Sequence, residues 1–165
     1  MDIVIRPADM ADLEAVAAIE QACFLAAEAA GRECLQERLS AFRHSFLIAE
    51  KGGKPVGFIN GCVTEQCILT DDLYQSTKLH DDAAANMMVF GLDVIPEERH
   101  QQIASQLMQA YITLARKRHK ALITLTCKKK LIPFYERFGY ICEGQSASTH
   151  GGAIWYTMTI YINHN

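Results

Sequence analysis

The sequence lacks paired cysteines, a membrane-length apolar run and an excess of positive charge. Its six cysteines include no Cys-x-x-Cys pair, and several lie in apolar runs, so we expect reduced core thiols. No histidine stands at ligand spacing from cysteines or acids, which argues against a metal site. Without a long apolar run or an apolar leader, the expected protein is soluble and cytoplasmic, with no membrane partner. A formal net charge of −3 gives no general basic field for nucleic acid.

The size of the chain limits its organisation. At 165 residues, half of them hydrophobic, it is long enough for one substantial core and too short for two, so residues 1–165 are expected to form one domain. Neither repeats nor low-complexity tracts divide it, and strand and helix patterns follow one another in a mixed α/β order. The outer predicted elements are a strand at 2–6, a helix capped by Asp9, a helix at 32–42, a hairpin of 46–50 with 55–65, and a strand at 153–162.

The most informative stretch runs from Leu92, inside the apolar, β-prone run at 87–95, to Tyr140. Pro96 ends the strand because it has no amide hydrogen to donate, and Arg99 then opens a helix with apolar residues at helical spacing. Backbone amides at such a start lack partners and lie at the positive end of the helix dipole, so they can hold a pyrophosphate. The alternative is an ordinary crossover with a solvated first turn. A second strand at 121–127 and a short helix follow, which puts two β-α units beside one cleft.

Three motifs in this stretch resemble the acetyl-CoA signature of the GNAT superfamily of N-acetyltransferases. They are Val94-Ile95-Pro96-Glu97-Glu98-Arg99-x-x-x-Ile103-Ala104, Leu125-Thr126-Cys127-Lys128 and Pro133-Phe134-Tyr135-Glu136-Arg137-Phe138-Gly139-Tyr140. With the tail Thr149-His150-Gly151-Gly152-Ala153-x-Trp155-Tyr156-x-Met158, they are similar to the bacterial and fungal arylalkylamine N-acetyltransferase group. The resemblance implies the GNAT fold, a central twisted mixed sheet of about six to seven strands, splayed in the middle and flanked by about four helices.

The resemblance also implies acetyl-CoA as the cofactor and assigns its contacts. Gly91 is expected to mark a bulge that splays the strand, opening a wedge for the pantetheine arm. Lys128 follows a strand directly and could face a cofactor phosphate. The predicted cofactor residues are Leu92, Asp93, Val94, Arg99, His100, Gln101, Gln102, Ile103, Ala104, Ser105, Lys128, Phe134, Tyr135 and Arg137.

Gln102 departs from the family pattern, which requires glycine at that position, and His100 stands where glycine is frequent. Glycine lets phosphate oxygens approach the backbone without meeting a Cβ. Gln102 therefore either narrows the site and weakens cofactor binding, or lies in a regular helical turn that tolerates a Cβ and donates its side-chain amide to a phosphate. We expect the second arrangement.

The implied chemistry is direct attack of a small primary amine on the thioester of acetyl-CoA. The backbone amide of Val94 is the best candidate to stabilise the oxyanion. Tyr135 occupies the tyrosine position of the family motif, and a phenol is well matched to protonate a thiolate leaving group. The alternative for Tyr135 is a core aromatic residue.

The proton acceptor is less clear from the sequence. Animal arylalkylamine acetyltransferases carry a His-x-His pair where this chain has Met88 and Phe90. Glu28 resembles the acidic base position of insect members, and its flanking alanines could place it in an apolar pocket as a base or an amine anchor. Otherwise it is a solvated loop residue. An apolar wall with one carboxylate suits an ammonium, and the predicted acceptor residues are Phe24, Glu28, Met88, Phe90 and His150.

Two other functions stay open at this stage. The altered phosphate loop and missing histidines would suit a non-catalytic acyl-CoA-binding module. A protein lysine or N-terminal acetyltransferase would need an open groove, and the polar segment at 66–86, a loop or short helix over the cleft, decides between groove and pocket. The partner is expected to be a small-molecule amine, and a homodimer is left open.

Overall fold

The computed structural model describes residues 2–162, and this part of the chain forms nine strands and five α-helices. The strands are β1 (Ile3–Pro7), β2 (Phe46–Lys51), β3 (Lys54–Asn60), β4 (Val63–Thr64), β5 (Asn86–Val89), β6 (Gly91–Val94), β7 (Leu122–Cys127), β8 (Ile141–Gln145) and β9 (Tyr156–Tyr161). The helices are α1 (Leu13–Cys23), α2 (Arg32–Phe42), α3 (Asp71–Gln75), α4 (Ile103–Lys117) and α5 (Ile132–Glu136). Among these helices none is long and apolar enough to cross a membrane.

The strands form two sheets, in the orders β1-β2-β3-β6 and β4-β5-β7-β9-β8. All pairings are antiparallel except that of β5 with β7. This architecture confirms the predicted mixed α/β GNAT fold. There are more strands than predicted because two expected strands are each divided, one at Gly61 and the other at Phe90.

Phe90 marks the point at which one run of chain changes sheets. Val89 is the last residue paired with β7, opposite Leu125, whereas Gly91 is already paired with Asn60 of β3. Beyond this point β6 and β7 belong to different sheets, and the final residues of β7 pair with β9. The expected splay next to Gly91 is therefore confirmed, and it opens a wedge between the two sheets.

Helices cover the two faces of the first sheet. Strand residues alternate between faces, so Phe46 and Ile48 pack with α1 and α2, while Leu47 and Ala49 pack with α4. The face of α4 that enters the core is apolar and buried, and consists of Ile103, Leu107, Met108, Tyr111, Ile112 and Ala115.

Gly61 is needed where the divided β3–β4 segment passes β5. A Cβ on Gly61 would lie 1.6 Å from the carbonyl oxygen of Met88, a distance that no side chain can occupy. The same oxygen accepts a 2.6 Å hydrogen bond from the Tyr111 hydroxyl. Backbone contact and the α4 side chain together fix β5 against the helix, just before the chain changes sheets.

Candidate active site

A cleft of about 960 Å³ opens at the wedge between β6 and β7. Its walls come from the end of α1 and the loop after it, from α3, from β6 and the end of β7, and from the loop before β9. Many predicted site residues meet here, although they are far apart in the sequence. They are Phe24, Glu28, Phe90, Leu92, Asp93, Val94, Arg99, Ala104, Lys128, Tyr135 and His150.

A second cavity, of about 410 Å³, lies at the start of α4. Val94, Arg99 and Ala104 line both cavities, so the two adjoin along the edge of β6. Arg137 stands over the ring of Phe134 at 5.3 Å and adds a cation to the wall. The remaining predicted cofactor residues in this cavity are His100, Gln102, Ile103 and Ser105.

The start of α4 differs from the prediction. The helix begins at Ile103 rather than Arg99, and both His100 and Gln102 have left-handed backbone, with φ of 64° and 67°. The prediction that Gln102 lies in a regular helical turn is therefore wrong. At both positions the backbone has a conformation that glycine adopts without strain. The first intrahelical bond links the Gln106 amide to the Gln102 carbonyl, which leaves the preceding amides of the first turn available to an anion.

Two side chains of the turn before α4 are held by neighbours. The Arg99 Nε donates to the Val94 carbonyl at 3.1 Å, which ties the turn to the end of β6. The Gln101 side chain accepts from the Lys51 ammonium at 2.9 Å and donates to Glu98 at 3.0 Å. Gln101 therefore points away from the second cavity, and its side chain does not serve the predicted cofactor contact in this arrangement.

The peptide groups of Leu92 and Val94 face the wedge. The Ile95 amide donates to the Val56 carbonyl in the ladder with β3, and antiparallel ladders alternate between inward and outward peptide groups. Accordingly, the Val94 carbonyl turns away from β3 and accepts from Arg99 and from the Cys23 thiol at 3.3 Å. The Val94 amide has the orientation that the oxyanion prediction requires.

Glu28 and Lys128 are paired with each other at the end of the first cleft where the acceptor residues are predicted, which is called the acceptor end below. Their charged atoms are 2.7 Å apart, and the Glu28 side chain is only 7% exposed. The Lys128 ammonium also lies 5.8 Å above the ring of Trp155. The Glu28 side chain is thus enclosed, as one of the two alternatives for it required, but it lies beside a cation instead of in an apolar pocket. Lys128 lines the first cleft and faces Glu28, which differs from the expectation that it faces a phosphate.

Aromatic side chains close this end of the cleft. The His150 Nε2 donates a 3.0 Å hydrogen bond to the Glu28 backbone carbonyl, and the His150 ring stacks on Tyr74 at 5.4 Å. Tyr74 in turn contacts Phe90 at 5.0 Å and bonds the Thr126 hydroxyl at 3.1 Å. Burial raises the pKa of Tyr74 to about 12. Because Tyr74 belongs to α3, the segment at 66–86 lies over the cleft, as one of the two predicted arrangements required.

Met88 is not part of the acceptor pocket. It is fully buried behind Phe90 in a separate apolar cluster with Phe42, Cys62, Leu69 and Leu73. The prediction was wrong because Met88 precedes the break at Phe90, where the strand is still covered on both faces. Phe90 itself lines the cleft, with the buried Arg38 guanidinium 4.6 Å from its ring centre.

Tyr135 stands on α5 at the junction of the wedge and the core. It is 8% exposed and lines the cleft. Burial is the main cause that raises the pKa of its phenol, and the nearby Cys127, Tyr74 and Asp93 raise it further. The phenol therefore stays protonated across the neutral range. Burial also raises the pKa of the neighbouring Cys127 thiol to about 12, so this cysteine is a poor nucleophile.

Sequence analysis missed an acidic pair at the floor of the cleft. Glu20 of α1 and Asp93 of β6 both line it, and both are buried. Burial and then Glu20 raise the pKa of Asp93. A signal was present in the sequence, since Glu20 occupies the same buried stripe of α1 as Val16 and Ile19. Asp93 had been assigned only a cofactor contact. Within residues 2–162 no three His, Cys, Asp or Glu side chains are grouped closely enough to hold a metal ion.

Comparison with known proteins defines the family. The family model described as acetyltransferase (GNAT) family matches residues 13–140. The chain therefore belongs to the GNAT family of acetyltransferases, for which acetyl-CoA is the acetyl donor. A search of curated protein sequences gave no match.

Solved structures with this fold include two that contain a bound acyl-CoA. The loading GNATL domain of CurA from Lyngbya majuscula has a TM-score of 0.84 at 14% identity, with 100% of both chains covered. GphF, a GNAT-like decarboxylase solved with isobutyryl-CoA, has a TM-score of 0.84 at 18% identity, covering 97% of this chain and all of the other. YncA from Salmonella typhimurium, solved with its cofactor acetyl-CoA, has a TM-score of 0.73 at 15% identity, covering 100% of this chain and 96% of the other. At these identities the likeness shows the fold.

Proposed function

We propose that this acetyltransferase moves the acetyl group of acetyl-CoA to a small primary amine of the arylalkylamine kind. The observation that carries the proposal is the combination of aromatic rings and carboxyl groups at the closed end of the cleft. Tyr74, Phe90 and Trp155 supply flat apolar walls, while Glu20 and Glu28 supply acidic groups. Such a pocket suits a cation attached to an aromatic or alkyl body.

The residues present fit acetyl-CoA as the donor substrate. The first-turn amides of α4, with Arg137 and His100 beside them, suit the pyrophosphate. The outward peptide groups of Leu92 can pair with the amides of the pantetheine arm, as an added strand would. This route leads the thioester from the second cavity into the first, at the level of Val94.

Two groups near that level have the chemistry that acyl transfer needs. The Val94 amide faces the wedge and can donate to the oxyanion formed when the amine attacks the carbonyl carbon. The protonated phenol of Tyr135 can give its proton to the thiolate as the carbon–sulfur bond breaks. Glu28, held by Lys128, forms part of the wall that meets the amine.

The shape and charge of the cleft favour this acceptor over two others. A protein chain needs an open groove, whereas the stack of His150 on Tyr74 covers the acceptor end. A decarboxylase, such as GphF is named to be, must hold an acyl group that bears a carboxylate. The buried carboxyl groups of Glu20 and Asp93 would repel such a group.

The test is release of the CoA thiol from acetyl-CoA with an arylalkylamine, a polyamine and a lysine peptide as acceptors. The proposal expects the arylalkylamine to be the best acceptor. Binding of acetyl-CoA without thiol release with any amine would instead support the non-catalytic module. Preference for the peptide would support a protein acetyltransferase.

Glu28→Gln separates the two roles considered for this residue. As part of the amine wall, it should raise the KM for the amine at every pH and leave the KM for acetyl-CoA unchanged. As the base, it should lower turnover mainly at neutral pH, with partial recovery as pH approaches the amine pKa. Lys128→Met is the matched variant, because it removes the partner of Glu28 without removing the carboxylate.

A further inference from the structure

The buried carboxyl of Asp93 lacks a hydrogen-bond donor. Neither of its oxygens receives a hydrogen bond from a protein group within residues 2–162, and the same is true of the polar atoms of the Asn60 side chain. Asp93 is only 1% exposed. A buried carboxylate without a donor is strongly unfavourable, so the charge there requires an explanation.

Gly91 marks where these polar groups converge. A Cβ on Gly91 would lie 3.1 Å from the Asp93 carboxyl, 3.6 Å from the Asn60 amide nitrogen and 3.7 Å from the Glu20 carboxyl. The absence of a side chain at residue 91 thus leaves three polar groups together at the end of the cleft. The other Glu20 oxygen is already satisfied by the Ala30 amide at 2.8 Å.

A shared proton resolves the conflict. The Asp93 and Glu20 carboxyls both border the position that a Gly91 Cβ would take, at 3.1 and 3.7 Å, but two carboxylates are both acceptors and cannot bond without a proton. One proton held between them gives Asp93 a donor role and leaves a single negative charge on the pair. The raised pKa of Asp93, caused by burial and by Glu20, agrees with this state.

The surrounding charges leave that proton in place. Burial, Glu20 and the Cys23 thiol of α1 raise the pKa of Asp93 and so favour its protonated form. Arg38 of α2 lowers that pKa, but its influence is the smallest. Tyr135 of α5 lines the same cleft as Asp93. Burial raises the pKa of the Cys23 thiol, and Arg99, in the turn before α4, lowers it.

We propose that Glu20 and Asp93 form one proton-sharing pair, and that this pair accepts the proton which the substrate ammonium must lose before it attacks the thioester. The inference rests on the proposed function, because it names the base of that reaction. It differs from the sequence-based assignment of the base to Glu28, whose carboxylate is held by Lys128.

The proton count closes in four steps. When the ammonium enters, the pair releases its shared proton to solvent, and its two negative charges hold the cation. The ammonium then returns one proton to the pair, which leaves a neutral amine. The nitrogen lone pair forms the bond to the carbonyl carbon, and the carbon–sulfur bond breaks to give a thiolate. Tyr135 protonates the sulfur, and the second proton that the attached nitrogen loses restores the Tyr135 phenol. Each turnover therefore releases one proton to solvent, the one that left the pair when the ammonium entered.

The kinetic test compares two acceptors of the same shape, a phenylethylamine and its β,β-difluoro analogue, whose ammonium is a much stronger acid. Glu20→Gln and Asp93→Asn should lower kcat for the parent amine by about 10²-fold or more, the usual contribution of a general base. Both should lower kcat for the fluorinated amine far less, because that amine arrives largely neutral. Equal losses for the two amines, or no loss, would overturn the proposal.

Glu14→Gln is the matched control on the same helix. Glu14 is exposed on the outer face of α1 and pairs with Arg32, so its substitution should change neither acceptor's rate. Asp93→Asn is close in shape to the native residue and keeps a donor toward Glu20, and circular dichroism confirms that each variant is folded.

A second measurement tests the shared proton without any reaction. The infrared difference between the native protein and Asp93→Asn, at neutral pH without amine, should contain the carbonyl band of a protonated carboxylic acid. If that band is absent, the shared proton is refuted even when the enzyme is active. If the band is present but no amine releases thiol, the proposed function fails and the role of the pair as base fails with it.

Discussion

Gln102→Gly tests whether the turn before α4 keeps a backbone built for glycine. Gln102 has φ of 67° and caps α4, and the left-handed conformation costs a residue with a side chain about 1–2 kcal/mol. Replacement by glycine removes this cost, but it loses about 0.4–1 kcal/mol because glycine has more conformational freedom in the unfolded chain. The net stabilisation is therefore about 0.5–1 kcal/mol, or roughly 1–4 °C in Tm for a domain of this size.

The same substitution should tighten acetyl-CoA binding. The Gln102 side chain lines the second cavity, so its removal lets a phosphate oxygen approach the first-turn amides of α4. One additional hydrogen bond contributes about 1 kcal/mol, which corresponds to roughly a fivefold lower Kd. Isothermal titration calorimetry with acetyl-CoA measures this change, and thermal unfolding without ligand measures the change in stability.

Two control variants separate backbone strain from crowding. His119→Gly relieves a left-handed residue with φ of 56° at the other end of α4, so it should stabilise the protein without changing the Kd. Gln102→Ala retains the strained backbone and shortens the side chain, so it should improve binding more than stability. If Gln102→Gly lowers the affinity, the glutamine amide donates to the phosphate and the crowding argument is refuted. If its Tm does not rise, the strain argument fails.

Three other substitutions give distinct outcomes. If Tyr135 is the proposed proton donor to the leaving thiolate, Tyr135→Phe should lower kcat by about 10²-fold with little change in the KM for acetyl-CoA; a large rise in that KM would instead make Tyr135 a packing residue. Gly61→Ala should destabilise the fold by about 3 kcal/mol or more in urea unfolding, because its Cβ would lie 1.6 Å from the Met88 carbonyl. Asp93→Asn should be more stable than the native protein at neutral and alkaline pH. Since the folded pKa of Asp93 is raised, the stability from its proton is complete below the unfolded pKa of about 3.9 and is lost as pH rises through the folded value. The advantage of the variant should therefore shrink toward pH 4, and a gap that does not vary with pH would contradict this account.

The parts of the site that are local in sequence could be predicted. Pro96 ends a strand and Ile103 begins an apolar helical stripe because each effect acts within a few residues. The position of Arg99 between them follows from the same short segment. The second cavity was consequently predicted almost in full, apart from Gln101, whose side chain is held by Lys51.

The acceptor end depends on contacts between distant segments, and there the predictions were less accurate. Glu28 and Lys128 come from opposite parts of the chain, and no spacing rule indicates that their charges will meet. The position of Met88 was also beyond a periodicity argument. Alternation shows which residues share a face of a strand, but it does not show that the strand leaves one sheet for another at Phe90.

The left-handed residues show how a substitution can hide a conformational signal. Two glycines would have indicated the turn before α4 directly, since glycine favours positive φ. With His100 and Gln102 in their place, the sequence suggested a regular helix, although the backbone retains φ of 64° and 67°. The absence of a glycine that the family pattern requires is therefore weak evidence that the backbone conformation at that position has changed.

The acidic pair had the opposite problem, because its signal was visible in the sequence, yet Asp93 was assigned a cofactor contact and Glu20 no role. Glu20 lies in the buried stripe of α1, Asp93 lies inside an apolar strand, and Asn60 ends another buried strand. Each residue breaks the local rule that buried positions are apolar, and such breaks concentrate at functional sites because they reduce stability unless something else requires them. One polar residue on a buried face has many explanations. Three that converge on Gly91, with no donor for Asp93 among residues 2–162, require a proton or a cation between them. The proposed reaction needs a group able to hold either, because it must deprotonate an amine.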